Sequence, residues 1–210
     1  MNNLERLTDI FRQFPGIGPR QAKRFVYFLL GTSDAYREIL SREILGLAAH
    51  VSICSSCFRF FEKKNQQSSL CSICSDISRD GTSLMIVAKD VDFEAIEKSR
   101  VYNGYYFILG GILSLIEKDP ESKVRTRELV SRLESFAGQG LKEVILALSL
   151  NSEGEHTLEF IENIIGPTIK KHGIKVSILG RGLSTGTELE YSDAETIKNA
   201  LAGRKEEMLP

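Results

Sequence analysis

Apolar positions along the chain change their period near residue 82, and that change divides the sequence into a helical front and an α/β back. In residues 4–14, Leu4, Leu7, Ile10, Phe11 and Phe14 recur at helical spacing on one face. Pro15 and Gly16 are expected to stop that helix, and Pro19 reads as the first-turn proline of the next. The second helix, 20–30, should turn Ala22, Phe25, Val26, Leu29 and Leu30 inward, with Gly31 ending it and a third helix over 34–49. Residues 53–81 lose the pattern, are rich in Ser and Cys, and read as loops and short strands. Beyond 82, short apolar runs of strand type appear at 83–88, 105–109, 143–148 and 175–179. Helical stretches are expected at 93–99, 126–137, 155–171 and 193–202, while 117–125 is the most loop-like part. Such alternation predicts an α/β fold with a largely parallel sheet and flanking helices.

The chain has 210 residues, enough for one or two compact domains, and its net charge of −1 gives no general basic signature. Its distribution adds something. Residues 1–52 carry 7 Lys/Arg against 5 Asp/Glu, whereas 82–210 carry 16 against 20, so polyanion contacts should favour the front. With no signal-peptide pattern and no apolar run of about 18 residues, a cytoplasmic location without membrane contact is expected. Structural disulfides are rare there.

All four cysteines fall in one window as Cys54-x2-Cys57, thirteen residues, then Cys71-x2-Cys74. Two intervening residues let a tight knuckle aim both sulfurs at one metal, and two knuckles complete a tetrahedral thiolate shell. One Zn2+ is the expected cofactor. A closed shell with no place for water makes it structural; thiol pairs or a disulfide-linked loop are the alternative. Phe58, Phe60 and Phe61 should form the ribbon's small core, and His50 reads as a helix-end residue.

Residues 14–19, Phe-Pro-Gly-Ile-Gly-Pro, join two amphipathic helices by a glycine-dependent turn, the form of a helix-hairpin-helix DNA-binding motif. Gly16 and Gly18 would leave backbone N–H groups bare at a helix N-terminus, ready for a phosphate oxygen. Arg20, Lys23 and Arg24 follow, with Arg20 and Arg24 sharing a face. Contacts of this kind position a nucleic-acid backbone without reading sequence. A plain packing corner with solvated charges is the alternative.

In this order, FPGIGPRQAKRF (14–25), the four cysteines, DFEAIEKS (92–99), GYYFILGGILS (104–114), SEGEHT (152–157) and RGLSTGTELEYSD (181–193) resemble the RecR family over nearly the whole chain. The resemblance implies a helix-hairpin-helix region at 1–52, a zinc ribbon at 53–81, a Toprim-like domain at 82–175 and a C-terminal oligomerisation segment at 176–210 that exchanges between subunits. It further implies a non-enzymatic mediator of recombinational DNA repair that dimerises and closes into a tetrameric ring around DNA. Such proteins act with RecO and RecF to load RecA on gapped DNA, and are nucleoid-associated in bacteria. The family's hairpin contacts map to Arg20 and Arg24, and its acidic partner face to Asp92, Glu153 and Glu155.

Two departures stand out. Ala88 and Lys89 occupy the place where Toprim strands usually end in glutamate, and Ser149-Leu150 replaces the usual Asn-Pro. The competing class is a Mg2+-dependent Toprim enzyme, primase- or topoisomerase-like, which needs a carboxylate cluster around the metal. Asp92, Glu153 and Glu155 make a thin one, and Ser152–Glu155 and Ser192–Glu195 fit capping boxes opening helices. No phosphate-binding G-x4-G-K-[ST] loop occurs. A zinc-stapled interaction module without a DNA role is the third class, and the hairpin counts against it.

Overall fold

The structure, a computed structural model, describes residues 2–63, 68–149, 151–180, 194 and 196–198. It falls into two compact units, residues 1–52 and 53–210.

The first unit is three helices: α1 (Asn3–Arg12), α2 (Pro19–Gly31) and α3 (Asp34–His50). Asn2 and Glu5 close a capping box on α1 through two hydrogen bonds of 2.9 Å, satisfying two amides that the helix itself leaves open. Contrary to the sequence pattern, α1 stops before Phe14. The Gln13 and Phe14 amides turn back to the Ile10 and Phe11 carbonyls, tightening the last turn ahead of Pro15. Phe14 nonetheless meets Phe11 edge-on at 5.6 Å, and Phe11 meets Phe25 likewise. Ala22 and Val26 are the buried residues among those described in this unit; Leu30, expected inward, is 59% exposed. Two small helices and one longer one have too little mutual surface to cover it.

A two-stranded sheet pairs β1 (Val51–Ile53) with β2 (Phe60–Glu62), and a single turn, α4 (Ser72–Ser75), follows. The rest of the second unit is a parallel sheet of β3 (Asp80–Val87), β4 (Gly104–Ile108), β5 (Glu143–Ala147) and β6 (Lys175–Ile178), in the order β4-β3-β5-β6. Its helices are α5 (Asp90–Ser99), the short α6 (Pro120–Lys123), α7 (Thr126–Ala137) and α8 (Ser152–His172). The stretch expected to be pure loop thus holds α6, with Pro120 at its start.

Strand periodicity divides the core into two layers. Leu84, Ile86 and Ala88 point to one face, packing with Leu129, Leu133 and Phe136 of α7 and Ile161 and Ile165 of α8. Met85 and Val87 point to the other, where Phe93 of α5 covers Tyr106 and Ile108. Burying a Leu, Ile or Phe side chain contributes roughly 1.5–3 kcal/mol, so each layer holds its helices firmly. The chain runs from β3 outward to β4 and then returns to β5 on the opposite side of β3. This makes β3/β5 the topological switch point, where α/β sheets receive ligands at the carboxyl ends of their strands.

Candidate metal centre and nucleic-acid interface

Cys54 leaves β1, and its amide donates to Arg59 O while its carbonyl accepts from Phe58 N at 3.0 Å, folding the first knuckle. Phe58 takes φ of 63°, a left-handed conformation that bulky residues rarely adopt. Its ring accounts for the choice, lying 5.4 Å from Phe107 in the sheet core with Arg125 stacked over it. The second knuckle is the α4 turn, where Ser75 N returns to Cys71 O at 3.0 Å.

The four cysteine ligand atoms lie within 4.8 Å of one another, with Cys57 Sγ and Cys71 Sγ 3.7 Å apart. A tetrahedron with metal–sulfur bonds of about 2.3 Å sets its sulfurs about 3.8 Å apart, so the cluster fits a divalent ion. Cys54, Cys57 and Cys71 are fully buried, and Cys71 N donates to Cys54 Sγ at 3.4 Å. Crowding divides the protons unevenly. Hydrogen bonds from Cys57, Cys71 and Cys74 hold the Cys54 thiol far below its usual value, while its bonds to Cys54 and burial push Cys57 far above. A cation resolves that conflict by letting all four ionise. The ribbon's own core differs from expectation: Phe61 packs on the cysteines, Phe58 belongs to the sheet core, and Phe60 is 53% exposed.

Besides Phe58 on Phe107, further contacts bind the ribbon to the sheet and to α5. Ile108 N donates to Cys57 O at 2.8 Å, Phe60 N to Asp90 Oδ1 at 2.8 Å, and the Arg59 guanidinium stacks 4.2 Å over Phe93. Sequence reading misses Asp90, Arg59 and Arg132. Only the last leaves a signal, a lone basic residue beside the apolar stripe Leu129, Leu133, Phe136 of α7.

At the hairpin, Gly16 has φ of 75°, so the turn requires glycine there. Gly18 differs from expectation. It is extended, with φ of −80° and ψ of 171°, a conformation open to any residue. It is the N-cap of α2 and supplies no side-chain cap, which leaves the start of the helix bare for an anion. Arg20, Lys23 and Arg24 are all exposed, and Arg24 Nη1 donates to Gln21 at 3.3 Å. Lys23 also borders the groove between α1 and α2, where Glu5 and Asp9 share its walls. Its charge is therefore less available than that of the two arginines.

The acidic residues lie at the switch point. β3 and β5 end side by side, Val87 against Ala147, and the helices α5 and α8 start beyond those ends. This topology brings Asp92, Glu153 and Glu155 to one edge. Asp92 Oδ2 accepts from Lys89 N at 3.0 Å, a helix-start role, while Glu153 and Glu155 are exposed on either side of buried Gly154. The expected capping box at Ser152–Glu155 is corrected: α8 begins at Ser152, because Asn151 Oδ1 accepts from Gly154 N at 2.8 Å. Ser192, Asp193 and Glu195 of the second expected box, and the segment 181–193, lie outside the described residues. Ala88 is fully buried in the core, so neither proton transfer nor ligation is open to that position. Among the described residues, no helix is long and apolar enough to cross a membrane.

Known proteins are similar to this chain in sequence over nearly its whole length. The model for the Toprim domain matches residues 82–180, and that for the RecR C-terminal region matches 182–205. Recombination protein RecR of Bifidobacterium longum subsp. infantis is 36% identical over 203 residues, spanning 97% of this chain and 96% of the relative. The protein of the same name from Chloroherpeton thalassium is 36% identical over 204 residues, covering 97% and 96%. That of Dehalococcoides mccartyi is 37% identical over 202 residues, covering 96% and 93%.

Proposed function

The chain belongs to the RecR family of recombination proteins, and on that premise we propose that it is a non-enzymatic, DNA-binding mediator of recombinational DNA repair. The observation that carries this reading is the uncapped start of α2, with Arg20 and Arg24 exposed on the turn after it. Gly16, Gly18, Arg20, Lys23 and Arg24 hold DNA by its phosphates, so affinity should not depend on sequence. The metal of the four cysteines is Zn2+, since an all-thiolate tetrahedral shell suits it and leaves no open position for catalysis. By this reading residues 1–52 form the DNA-binding region, 53–81 the ribbon, 82–175 the Toprim-like domain and 176–210 the oligomerisation segment.

RecO- and RecF-type partners dock at the carboxyl edge carrying Asp92, Glu153 and Glu155, and RecA loading on gapped DNA follows. Self-association into a dimer or ring-shaped tetramer is supported by the apolar side chains of the first unit, where Ile39, Ile44, Leu45 and Leu47 are each more than half exposed. Against a Mg2+-dependent enzyme stand buried Ala88 and the structural use of Asp92.

The test is a salt series of binding to duplexes of unrelated sequence. The Arg20→Ala/Lys23→Ala/Arg24→Ala variant should lose affinity equally on all of them. Its log–log salt slope should fall by about 0.9 for each phosphate that is no longer neutralised. Arg24→Ala should cost more than Lys23→Ala. Parental binding by the triple variant at low salt would refute the hairpin assignment.

A further inference from the structure

Among the described residues, Arg132 Nε is buried without a hydrogen-bond partner, and the buried Ser56 Oγ has the Cys74 thiol as its one neighbour for such a bond. Both residues line one recess between the first cysteine knuckle and α7, with Ser55, Arg127, Glu128 and Ser135. Ser55 and Ser56 are the two residues between Cys54 and Cys57, so this recess is the outer wall of the metal site. Arg132 is fixed there, its guanidinium 3.8 Å over the ring of Phe136, which is 5% exposed.

Hydroxyls and two arginines suggest an anion pocket, but the charges oppose it. Four thiolates around a divalent ion keep a net charge of about −2, and Glu128 adds another negative group to the wall. Arg127 offsets little of this, because its side chain is 89% exposed and turns toward Glu121 at 3.8 Å. An incoming anion would meet surplus negative charge. Arg132 is different: burial works against its charge, and the Cys74, Cys57 and Cys54 thiolates oppose that loss.

We propose that Arg132 is the counter-charge of the metal centre, a positioning residue whose guanidinium, held on Phe136 beside the Ser55–Ser56 knuckle, offsets the tetrathiolate and strengthens its hold on the metal. A helix of the sheet domain thereby takes part in metal retention without touching the ion. The inference rests on the tetrathiolate reading.

The experiment is Zn2+ competition between the full-length protein and a chromophoric chelator, preceded by metal analysis of the parent. Arg132→Met keeps the length and loses the charge; it should weaken metal affinity by about tenfold or more, the usual scale for groups supporting a ligand shell. Arg132→Lys should recover most of that loss, and Arg127→Met should match the parent. Leu129→Ala, at a buried α7 position outside the recess, separates charge from packing: it should lower Tm with a much smaller change in metal affinity. Where Arg132→Met does not fold, Arg132→Gln replaces it, with the same expectation. Parental affinity in a folded neutral variant overturns the proposal. So does failure of Arg132→Lys to improve on it, or a loss in Leu129→Ala as large as in Arg132→Met. A parent without metal overturns the tetrathiolate reading itself, whereas a metal-replete parent with an indifferent Arg132 overturns only this inference.

Discussion

Gly154 sits in the first turn of α8 where a side chain has no room, and Gly154→Ala should unsettle the partner edge. A Cβ there would fall 1.9 Å from Ser149 O, 2.7 Å from Ser149 C and 3.1 Å from Asn151 Oδ1. The first two are backbone atoms of Ser149, just past β5, so relief requires moving Ser149 or Gly154 itself, and with it the Asn151 cap on Gly154 N. Overpacking of this kind costs about 1–3 kcal/mol, and losing an N-cap about 1 kcal/mol. Alanine's helix propensity returns about 1 kcal/mol, leaving a net loss of about 1–3 kcal/mol. For a unit of this size that lowers Tm by roughly 2–12 °C. Gly46, inside α3 where an added Cβ would meet only His50 Cδ2 at an ordinary 3.8 Å, is the control, and Gly46→Ala should be neutral or slightly stabilising. Thermal and urea unfolding of both variants measure this, with DNA binding expected to survive. A Gly154→Ala protein at least as stable as Gly46→Ala would refute the reasoning.

Removing the metal should unfold the ribbon. Cys57→Ser or chelation is expected to give aggregated or poorly folded protein, because binding energy of about 10–16 kcal/mol in small zinc units is folding energy. Less than about half an equivalent of zinc in fresh, well-folded protein would refute this. Acid should weaken the α7–α8 clamp. Bonds from Lys171, then His172 and Thr168, lower the Glu134 carboxyl from 4.5 to about 2. With the folded value depressed, its contribution is fully present above about pH 4.5 and is lost as pH falls through about 2. The difference in urea midpoint between parent and Glu134→Gln should therefore shrink as pH falls from about 4.5 through about 2; a difference that grows across that window would contradict the assignment.

Much of this fold is legible in the sequence because its signals are local. The apolar runs at 83–88 and 143–148 mark strands since both faces of the sheet are covered, and the Cys spacing encodes a ligand shell without help from distant residues. Boundaries fail where a nearby polar group overrides the pattern, as with Asn151, which starts α8 three residues before the expected 155. Periodicity places Leu30 inward and the ribbon's need for a core places Phe60 there, but burial depends on what lies opposite, and no described element of their own unit covers them. Gly18 reads as a conformational glycine in the sequence, yet only Gly16 of the two has positive φ. The docking of ribbon on sheet is invisible there, since Asp90 lies 30 residues from its partner amide at Phe60.

That docking bears on how the parts of the second unit depend on each other. The amide of Ile108, the last residue of β4, is satisfied by Cys57 O, not by a neighbouring strand. The Asp90 carboxylate, at the start of α5, is engaged by the ribbon through Phe60 N. Two residues on, Asp92 accepts from Lys89 N in the same helix start. Loss of the ribbon would leave the Ile108 N–H without its acceptor in the core and the Asp90 carboxylate without its donor, at a cost of about 1–3 kcal/mol for the buried amide. On the proposed reading, a metal at the four cysteines would act at a distance on the acidic edge: it would fix the knuckle, the knuckle the ends of β4 and α5, and α5 the place of Asp92. A four-cysteine ribbon without open coordination would in this way govern the proposed docking surface while doing no chemistry.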